Sequence, residues 1–543
     1  MDAEHIKYLN DKRTDKFPQV LQKFNEENAN LFQFEKFHKN DVWVNLWKAV
    51  FSILNDNNME QYHIECLNTI RILSRDESSL CNNNIVPDVG CLLKLAHLAL
   101  GTSTISTATT PDTDLSFNVD IVVEALKCLC NLVFQNPEVR RECARQNVVD
   151  LIFQRLSSSS QTESSIEFFD MKLLFLITAL DITVRSRVLI ELNGLTYLTE
   201  VLDEKLRSIA DFSDKQFDIL VELLKVMFNI TSSTDKSPSE NEIQSLHLTS
   251  VVRELLLRFG EMKTNRERSV VSHSIDLLTN ISSSCLSELM IKCEGTAVTE
   301  GNRRIYENRN VTALDSILRY LHYVLEDNEK NSSTHKELVQ PVLAILVKCV
   351  SSNPIMRHYV RSVILPPLKD VYTRPEEGNE LRNYLCRLQA TPNLVVRNLT
   401  YELLLLCCKK SQGRLIKYFG YGNMAGLFAN AGLMNGRKAE NLEFSSDSEN
   451  SDTEEYNKME HAINPVVGCY TPPAPNPLKD MSEEQKEHEA EKLVNLIDQL
   501  DRYGIIKPCR INSEGKPEPV EHVLQLQEEL PQQQQQVHQK GNK

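Results

Sequence analysis

The chain has 543 residues, 41% of them hydrophobic and only 17 glycine, with 60 Lys and Arg against 75 Asp and Glu for a net charge of −15. That length exceeds what one core can hold and accommodates several domains or one long repeat array. The acidic balance argues against broad nucleic-acid binding, because phosphate neutralisation needs clustered Lys and Arg.

The N-terminus is polar and charged from Met1 to Arg13, where a secretory signal would need an apolar run of about 7–15 residues. No apolar stretch reaches the ~20 residues of a membrane span. Cysteines sit inside apolar runs (Cys66, Cys128, Cys130, Cys349, Cys407, Cys408) and never as Cys-x-x-Cys. They read as small buried hydrophobes of a reduced, cytoplasmic protein without a zinc ribbon or thiol redox site.

Further along, several segments share one pattern, an apolar helical run ending in a polar residue between hydrophobes. Residues 125–132, 223–230 and 274–281 carry it, with Asn131, Asn229 and Asn280 at the polar position. The first two asparagines are 98 apart and the apolar run 173–180, ending at Asp181, falls midway, so the period is about 49. Armadillo and HEAT repeats have periods of about 40–47. Weaker members appear at 66–73, 342–350 and 399–408. The expected fold is all-α, an armadillo/HEAT-type solenoid over residues 1–430 in which each helical hairpin buries its apolar face against its neighbours. Two or three separate helical domains are the alternative. Ser- and Thr-rich loops interrupt the pattern at 102–113, 157–165 and 232–239.

The charge is uneven, since residues 431–543 hold 12 basic and 21 acidic side chains. Residues 431–480, acidic and then Pro-rich, are expected to be an extended or disordered linker. A helix follows over 481–504. Ser482 and Gln485 form a capping box, and Ala490, Leu493, Val494, Ile497 and Leu500 make one apolar stripe. Gly504 is its stop. Such a helix has to dock on the solenoid or on a partner. Residues 505–543, with glutamines at 532–536, read as a disordered tail.

Catalytic motifs are missing: the chain has no GxxxxGK[ST], HExxH or GxSxG. Gly420, Gly422 and Gly426 imitate a dinucleotide loop, but the last gap is too long and a helical run precedes it, so a helix–helix turn is expected. The 13 histidines form no ligand pair at helical spacing. No metal or cofactor is expected.

Binding residues are better marked. An Asn near the end of a repeat's last helix offers both donor and acceptor to a bound peptide; alternatively it ties its own inter-repeat turn. Arg71 and Arg75, four apart on one expected helix, point the same way, toward a ligand or toward solvent. Ser446 and Ser451 each have a Glu three positions on, the pattern of acidophilic kinases. A phosphate there would seek arginines, and Arg357 with Arg361 are the candidates.

The run Lys417, Tyr418, Phe419, Gly420, Tyr421, Gly422, Asn423 through Leu433 and Met434 resembles the synembryn proteins, also called resistance to inhibitors of cholinesterase eight. So do Ser451 to Tyr456, Ile463 to Val466, Asn476 to Leu478, and above all Met481 to Ala490 continuing to Leu500. The likeness also reaches residues 65–76, 130–136 and 365–378. It implies a cytosolic chaperone and non-receptor guanine nucleotide exchange factor for heterotrimeric G-protein α subunits, GDP-bound or nucleotide-free, with no catalytic residues of its own. It implies further that the solenoid's concave face captures the C-terminal helix of Gα, while the helix after the linker, through Leu493, Val494, Ile497 and Leu500, supports the Gα nucleotide-binding domain. By the same resemblance Arg71, Arg75 and Asn131 match positions that meet the Gα C-terminus; Asn229 and Asn280 extend the series. Ser446 and Ser451 match a phosphorylated pair whose second member is usually Thr. Arg357 matches the phosphate-docking cluster, whereas Pro354 and His358 replace residues that are usually basic. The expected protein is a cytoplasmic monomer, recruited to the cell cortex through lipidated Gα without inserting into membrane or binding nucleic acid. The competing expectation is an armadillo-type peptide scaffold or adaptor without exchange activity.

Overall fold

The computed structural model describes residues 3–37, 41–82, 85–99, 118–158, 163–232, 242–293, 304–330, 336–432, 453–472, 478, 481–512 and 516–520. Two compact units divide at Tyr320 and Leu321. In chain order the helices of the first are α1 Ala3–Asn10, α2 Phe17–Asn28, α3 Val42–Leu54, α4 His63–Leu73, α5 Glu77–Asn82, α6 Val86–Leu95, α7 Val119–Gln135, α8 Pro137–Arg145, α9 Val148–Ser158, α10 Ser164–Leu180, α11 Ile182–Ile190, α12 Gly194–Ser208, α13 Asp214–Thr231, α14 Glu242–Phe259 and α15 Asn265–Thr279. The unit boundary falls within α16, Thr312–Lys330, and the second unit continues with α17 Val339–Ser352, α18 Pro354–Ile364, α19 Leu381–Leu388, α20 Leu394–Cys407, α21 Gln412–Phe419, α22 Tyr421–Asn430, α23 Glu454–Met459 and α24 Glu483–Arg502. Among the described residues there are also three small antiparallel sheets of two or three residues per strand: β1 Ile291–Lys292 and β2 Ile305–Tyr306 on β3 Arg309–Asn310 in the first unit, and β4 Ile463–Asn464 on β5 Cys469–Tyr470 and β6 Cys509–Ile511 on β7 Pro517–Pro519 in the second.

The first unit is a stack. Helix α4 packs on α7, α7 on α10, α10 on α13 and α13 on α15, and α12 and α14 pack against α13 and α15 as a second layer. Every repeat thus buries one face against the repeat before and another against the repeat after, the packing of an armadillo-like all-α solenoid. The apolar runs read from the sequence are the buried faces: Leu126, Leu129 and Val133 of α7, Leu173, Leu174 and Ile177 of α10, and Leu223, Leu224 and Met227 of α13 are all buried. The six cysteines predicted to be core are buried as well, and burial pushes the thiols of Cys130, Cys349 and Cys407 up to about 12.

One corner recurs in both units. An Asn or Asp caps the next helix: Asn136 accepts from Glu138 N and Val139 N, Asp181 from Thr183 N and Val184 N, and Asn353 from Ile355 N and Met356 N. Four residues on, an arginine turns back to the carbonyl seven residues before it. Arg140 donates to Val133 O, Arg185 to Thr178 O and Arg357 to Val350 O. The capping residue supplies the acceptor that a helix start lacks, and the arginine supplies the donor that the previous helix end lacks. Removing the arginine side chain leaves carbonyls unpaired at a partly buried corner. Arg185→Ala is expected to cost about 1–3 kcal/mol, read as a lower thermal midpoint, whereas Arg141→Ala, on the exposed side of α8, should leave it unchanged.

Part of the stretch read as an extended linker is structured. Residues 453–471 form α23 and the β4–β5 hairpin, and they are tied down by main-chain bonds from Tyr421 N to Pro465 O, Gly422 N to Val466 O and Tyr470 N to Val371 O. Gly420, at φ 74° between α21 and α22, lies where any Cβ would strike the Val467 main chain at 2.8 Å. It is therefore the helix–helix turn and also the seat of the hairpin. The composition of the stretch gave no sign of this, because the docking is by backbone hydrogen bonds rather than an apolar run. The tail reading meets a similar exception in the exposed β6–β7 hairpin.

Candidate functional site

Glu124, Lys127, Asn131 and Phe134 fall three to four residues apart on α7 and share a face. The same Glu-x-x-Lys-x-x-x-Asn spacing recurs on α13 as Glu222, Lys225 and Asn229. Helix α10 lies between the two and presents aromatic rings to both. The Lys127 ammonium stands 5.4 Å from the Phe169 ring and the Lys225 ammonium 5.0 Å from the Phe175 ring, while Lys172 covers Phe168. Glu124 bridges Lys127 and the Arg71 guanidinium of α4, the latter at 3.1 Å, and Glu222 holds Lys225 at 2.9 Å. Among these side chains Arg71, Lys127, Lys172 and Lys225 outnumber the two glutamates, so a locally basic, aromatic strip runs across a chain that is acidic overall. Phe134, 57% exposed, adds an apolar ring at the end of α7. At α15 the position four before Asn280 is Asp276, and the basic series stops there.

The three asparagines make one repeated contact. Asn131 Nδ2 donates to Arg71 O and Ser74 Oγ, Asn229 Nδ2 to Phe175 O and Thr178 Oγ1, and Asn280 Nδ2 to Phe228 O and Thr231 Oγ1. Each amide therefore ties its helix to the end of the preceding helix in the stack, rather than to its own inter-repeat turn as the alternative expectation had it. No donor among the described residues reaches their Oδ1 atoms, which leaves an acceptor for a ligand.

Arg71 and Arg75 do not share a helix face as expected. Helix α4 ends at Leu73 and Ser74 caps it, so Arg75 lies in the turn beyond. There it donates to Ala29 O at 2.6 Å and covers the exposed Phe32 ring, while Arg71 turns toward α7. Burial and the neighbouring Arg71 charge both hold the Arg75 guanidinium below its usual range. Sequence spacing failed here because the turn starts one residue after the last helical hydrophobe.

On α24, Ser482 and Gln485 form the capping box and no residue of the helix is buried. Leu493 is 58% and Leu500 37% exposed, and Val494 and Ile497 are half-buried. Leu496, 50% exposed, joins the apolar side beside the stripe expected from the sequence.

The expected phosphate-docking pair divides. Arg357 is engaged at the α17–α18 corner, and Arg361 is buried at 8% exposure. Arg361 adjoins Arg414 and Lys417; burial first, then the Arg414 and Arg361 charges, hold Lys417 below the usual lysine range against the opposing pull of Glu460. Arg414 Nη1 is buried with no hydrogen-bond partner, and the Lys417 ammonium lies 4.0 Å from the Tyr456 ring of α23. Ser446 and Ser451 lie outside the described residues. The described residues hold no cluster of potential metal ligands and no helix long and apolar enough to cross a membrane.

A family profile described as "Guanine nucleotide exchange factor synembryn" matches residues 66–516, most of the chain. The chain belongs to the synembryn family. Among relatives of this family member, Chaperone Ric-8 of Drosophila pseudoobscura pseudoobscura is 51% identical over 98% of this chain and 99% of its own. Chaperone Ric-8 of Drosophila melanogaster is 48% identical over the same shares. Chaperone Ric-8A of Rattus norvegicus is 34% identical over 95% of this chain and 94% of its own. The match covers the basic strip, the corner arginines and α24 alike, so the synembryn assignment concerns the assembled molecule rather than a single motif.

Proposed function

We propose that this synembryn is a chaperone and guanine nucleotide exchange factor for heterotrimeric G-protein α subunits. The observation that carries the reading is the Lys–aromatic strip over α7, α10 and α13, flanked by Arg71, Arg75 and the acceptor atoms of Asn131, Asn229 and Asn280. An excess of positive charge beside half-buried rings suits a peptide that ends in apolar side chains and a free carboxylate, as the C-terminal helix of Gα does. Exchange needs no nucleotide motif in the factor. A protein that binds open, nucleotide-free Gα more tightly than the GDP form shifts the population toward release, and GTP binding reverses it by closing Gα. No covalent chemistry is required.

In this reading α24 is the second hand. Leu493, Leu496, Val494, Ile497 and Leu500 present an apolar side that covers surface exposed when the Gα C-terminal helix is withdrawn, which also describes a chaperone's hold on a folding client. Ser446 and Ser451 accept phosphate from an acidophilic kinase, and the docking group is Arg361 with Arg414 and Lys417, supported by the unpartnered Arg414 nitrogen. The protein acts as a cytoplasmic monomer and reaches the cell cortex through Gα.

The test is GDP release from a purified Gα, intact or lacking its last residues, with and without this protein. Acceleration that disappears on truncation is the expected result. Tight binding of the C-terminal peptide with no acceleration would instead identify a peptide-binding adaptor.

A further inference from the structure

The second unit contains a half-open cavity of about 730 Å³ bounded by α19, α20 and α22, a size suited to a ligand. It uses none of the residues of the basic strip. Its floor is the small-residue side of α22, where Gly422 and Gly426, two glycines of the run that imitated a dinucleotide loop, line the space. A Cβ at Gly426 would meet nothing within 4 Å.

The polar groups around the floor divide into spent and unspent. Arg387 is spent on Glu329 Oε1, Glu376 O and Gly378 O, and Asn423 Nδ2 on Glu376 Oε2 and Phe419 O. Gln389 Nε2 is buried without any partner. Arg397 is the fourth arginine placed four residues after a capping Asn or Asp, here Asn393. In the other three the guanidinium closes the preceding helix. Here residues 389–392 separate α19 from its cap, so the carbonyl seven back belongs to Ala390 in a turn, and no acceptor among the described residues takes the Arg397 guanidinium. A corner part that the other three such corners consume internally is left facing a cavity.

We propose that this cavity binds a peptide segment bearing a carboxylate side chain, held by Arg397, with a main-chain carbonyl accepting from the Gln389 amide nitrogen and the peptide backbone lying against Gly422 and Gly426. A planar guanidinium matches a carboxylate in a bidentate pair, and glycines admit a backbone at close range. The available charge selects among anions. With Arg387 already engaged and Glu376 in the same wall, one free positive charge suits a monoanionic carboxylate and not a phosphoryl group carrying nearly two.

The experiment uses the full chain and fluorescence anisotropy of three labelled, C-terminally amidated peptides: Ala-Ala-Glu-Ala-Glu-Ala-Ala, its Glu-to-Gln counterpart, and the same peptide with phosphoserine in place of both Glu residues. The expected result is saturable binding of the acidic peptide, with the neutral and phosphorylated forms each about tenfold weaker or worse, a difference of about 1.4 kcal/mol. Arg397→Gln should weaken the acidic peptide by about the same factor. Gly426→Leu, which fills the cavity while improving helix propensity, should abolish binding with no loss in thermal midpoint. Equal binding of the neutral peptide, preference for the phosphopeptide, or wild-type binding by both variants would overturn the proposal. Measuring GDP release with Gly426→Leu separates the two readings, because the exchange activity proposed above does not use this cavity.

Discussion

Replacing Asp170 by alanine is expected to cost about 3–5 kcal/mol, the largest single stability loss in the first unit, because it strands a buried charge. Asp170 on α10 is fully buried and its carboxylate lies 3.1 Å from the guanidinium of Arg155 on α9, itself 7% exposed. Arg155 also donates to Ala96 O at the end of α6, so one guanidinium joins three helices. Removing Asp170 leaves the buried Arg155 guanidinium without its counter-charge, and removing Arg155 leaves a buried carboxyl that has to take up a proton. Replacing both together, Arg155→Met with Asp170→Leu, removes two desolvation costs at once and should recover most of the loss. Denaturant midpoints of the two single variants and the double variant decide the matter. If the double variant is as damaged as the singles, the corner is held by packing and not by charge.

The same pair has a pH signature. Burial raises the Asp170 carboxyl to about 7 despite the nearby guanidinium, which pulls the other way. A carboxyl raised in the folded state binds its proton more tightly there than in the unfolded chain, so its contribution to stability falls as pH rises from about 4 through about 7. Wild type should therefore gain stability relative to Asp170→Asn as pH is lowered from about 7.5 to 5.5. Carboxylates held low by partners, such as Asp370 with its Thr373 and Tyr372 hydrogen bonds, act with the opposite sign in both proteins and cancel in the comparison.

The largest functional effect is expected from reversing charge on the strip. Lys127→Glu with Lys225→Glu should reduce accelerated GDP release from Gα by about a hundredfold, corresponding to about 1–2 kcal/mol per lost charge contact. Both lysines are partly exposed, with side-chain exposures of 32% and 28%, and neither amide ladder nor core depends on them. The fold should persist, as circular dichroism would report. Lys127→Gln and Lys225→Gln remove the attraction without adding repulsion, so an intermediate loss is expected. Unchanged release in the reversed variant would move the capture site off this strip.

The sequence alone carried the repeat and its period, because a helix that packs on two neighbours must bury apolar side chains at helical spacing whatever its partners are. It also carried the capping box at Ser482 and the stripe on α24, since both are local. Residues 417–434 and 481–500 carry the synembryn resemblance in their sequence alone. Less legible was what each polar residue is for. Asn131, Asn229 and Asn280 looked equivalent in sequence and are equivalent in space, yet which role their amides play depended on Ser74, Thr178 and Thr231, each about 50 residues earlier. Arg71 and Arg75 looked paired and are not, because a turn intervenes. Arg357 looked like a phosphate ligand and closes a helix end instead, while Arg397, unremarked in the sequence, lines a cavity because its corner is four residues longer. The order of elements and their buried faces follow from local periodicity. The use of each guanidinium and amide was decided only by tertiary structure, since a hydrogen bond needs its partner within about 3 Å and one-dimensional spacing does not place partners from different repeats.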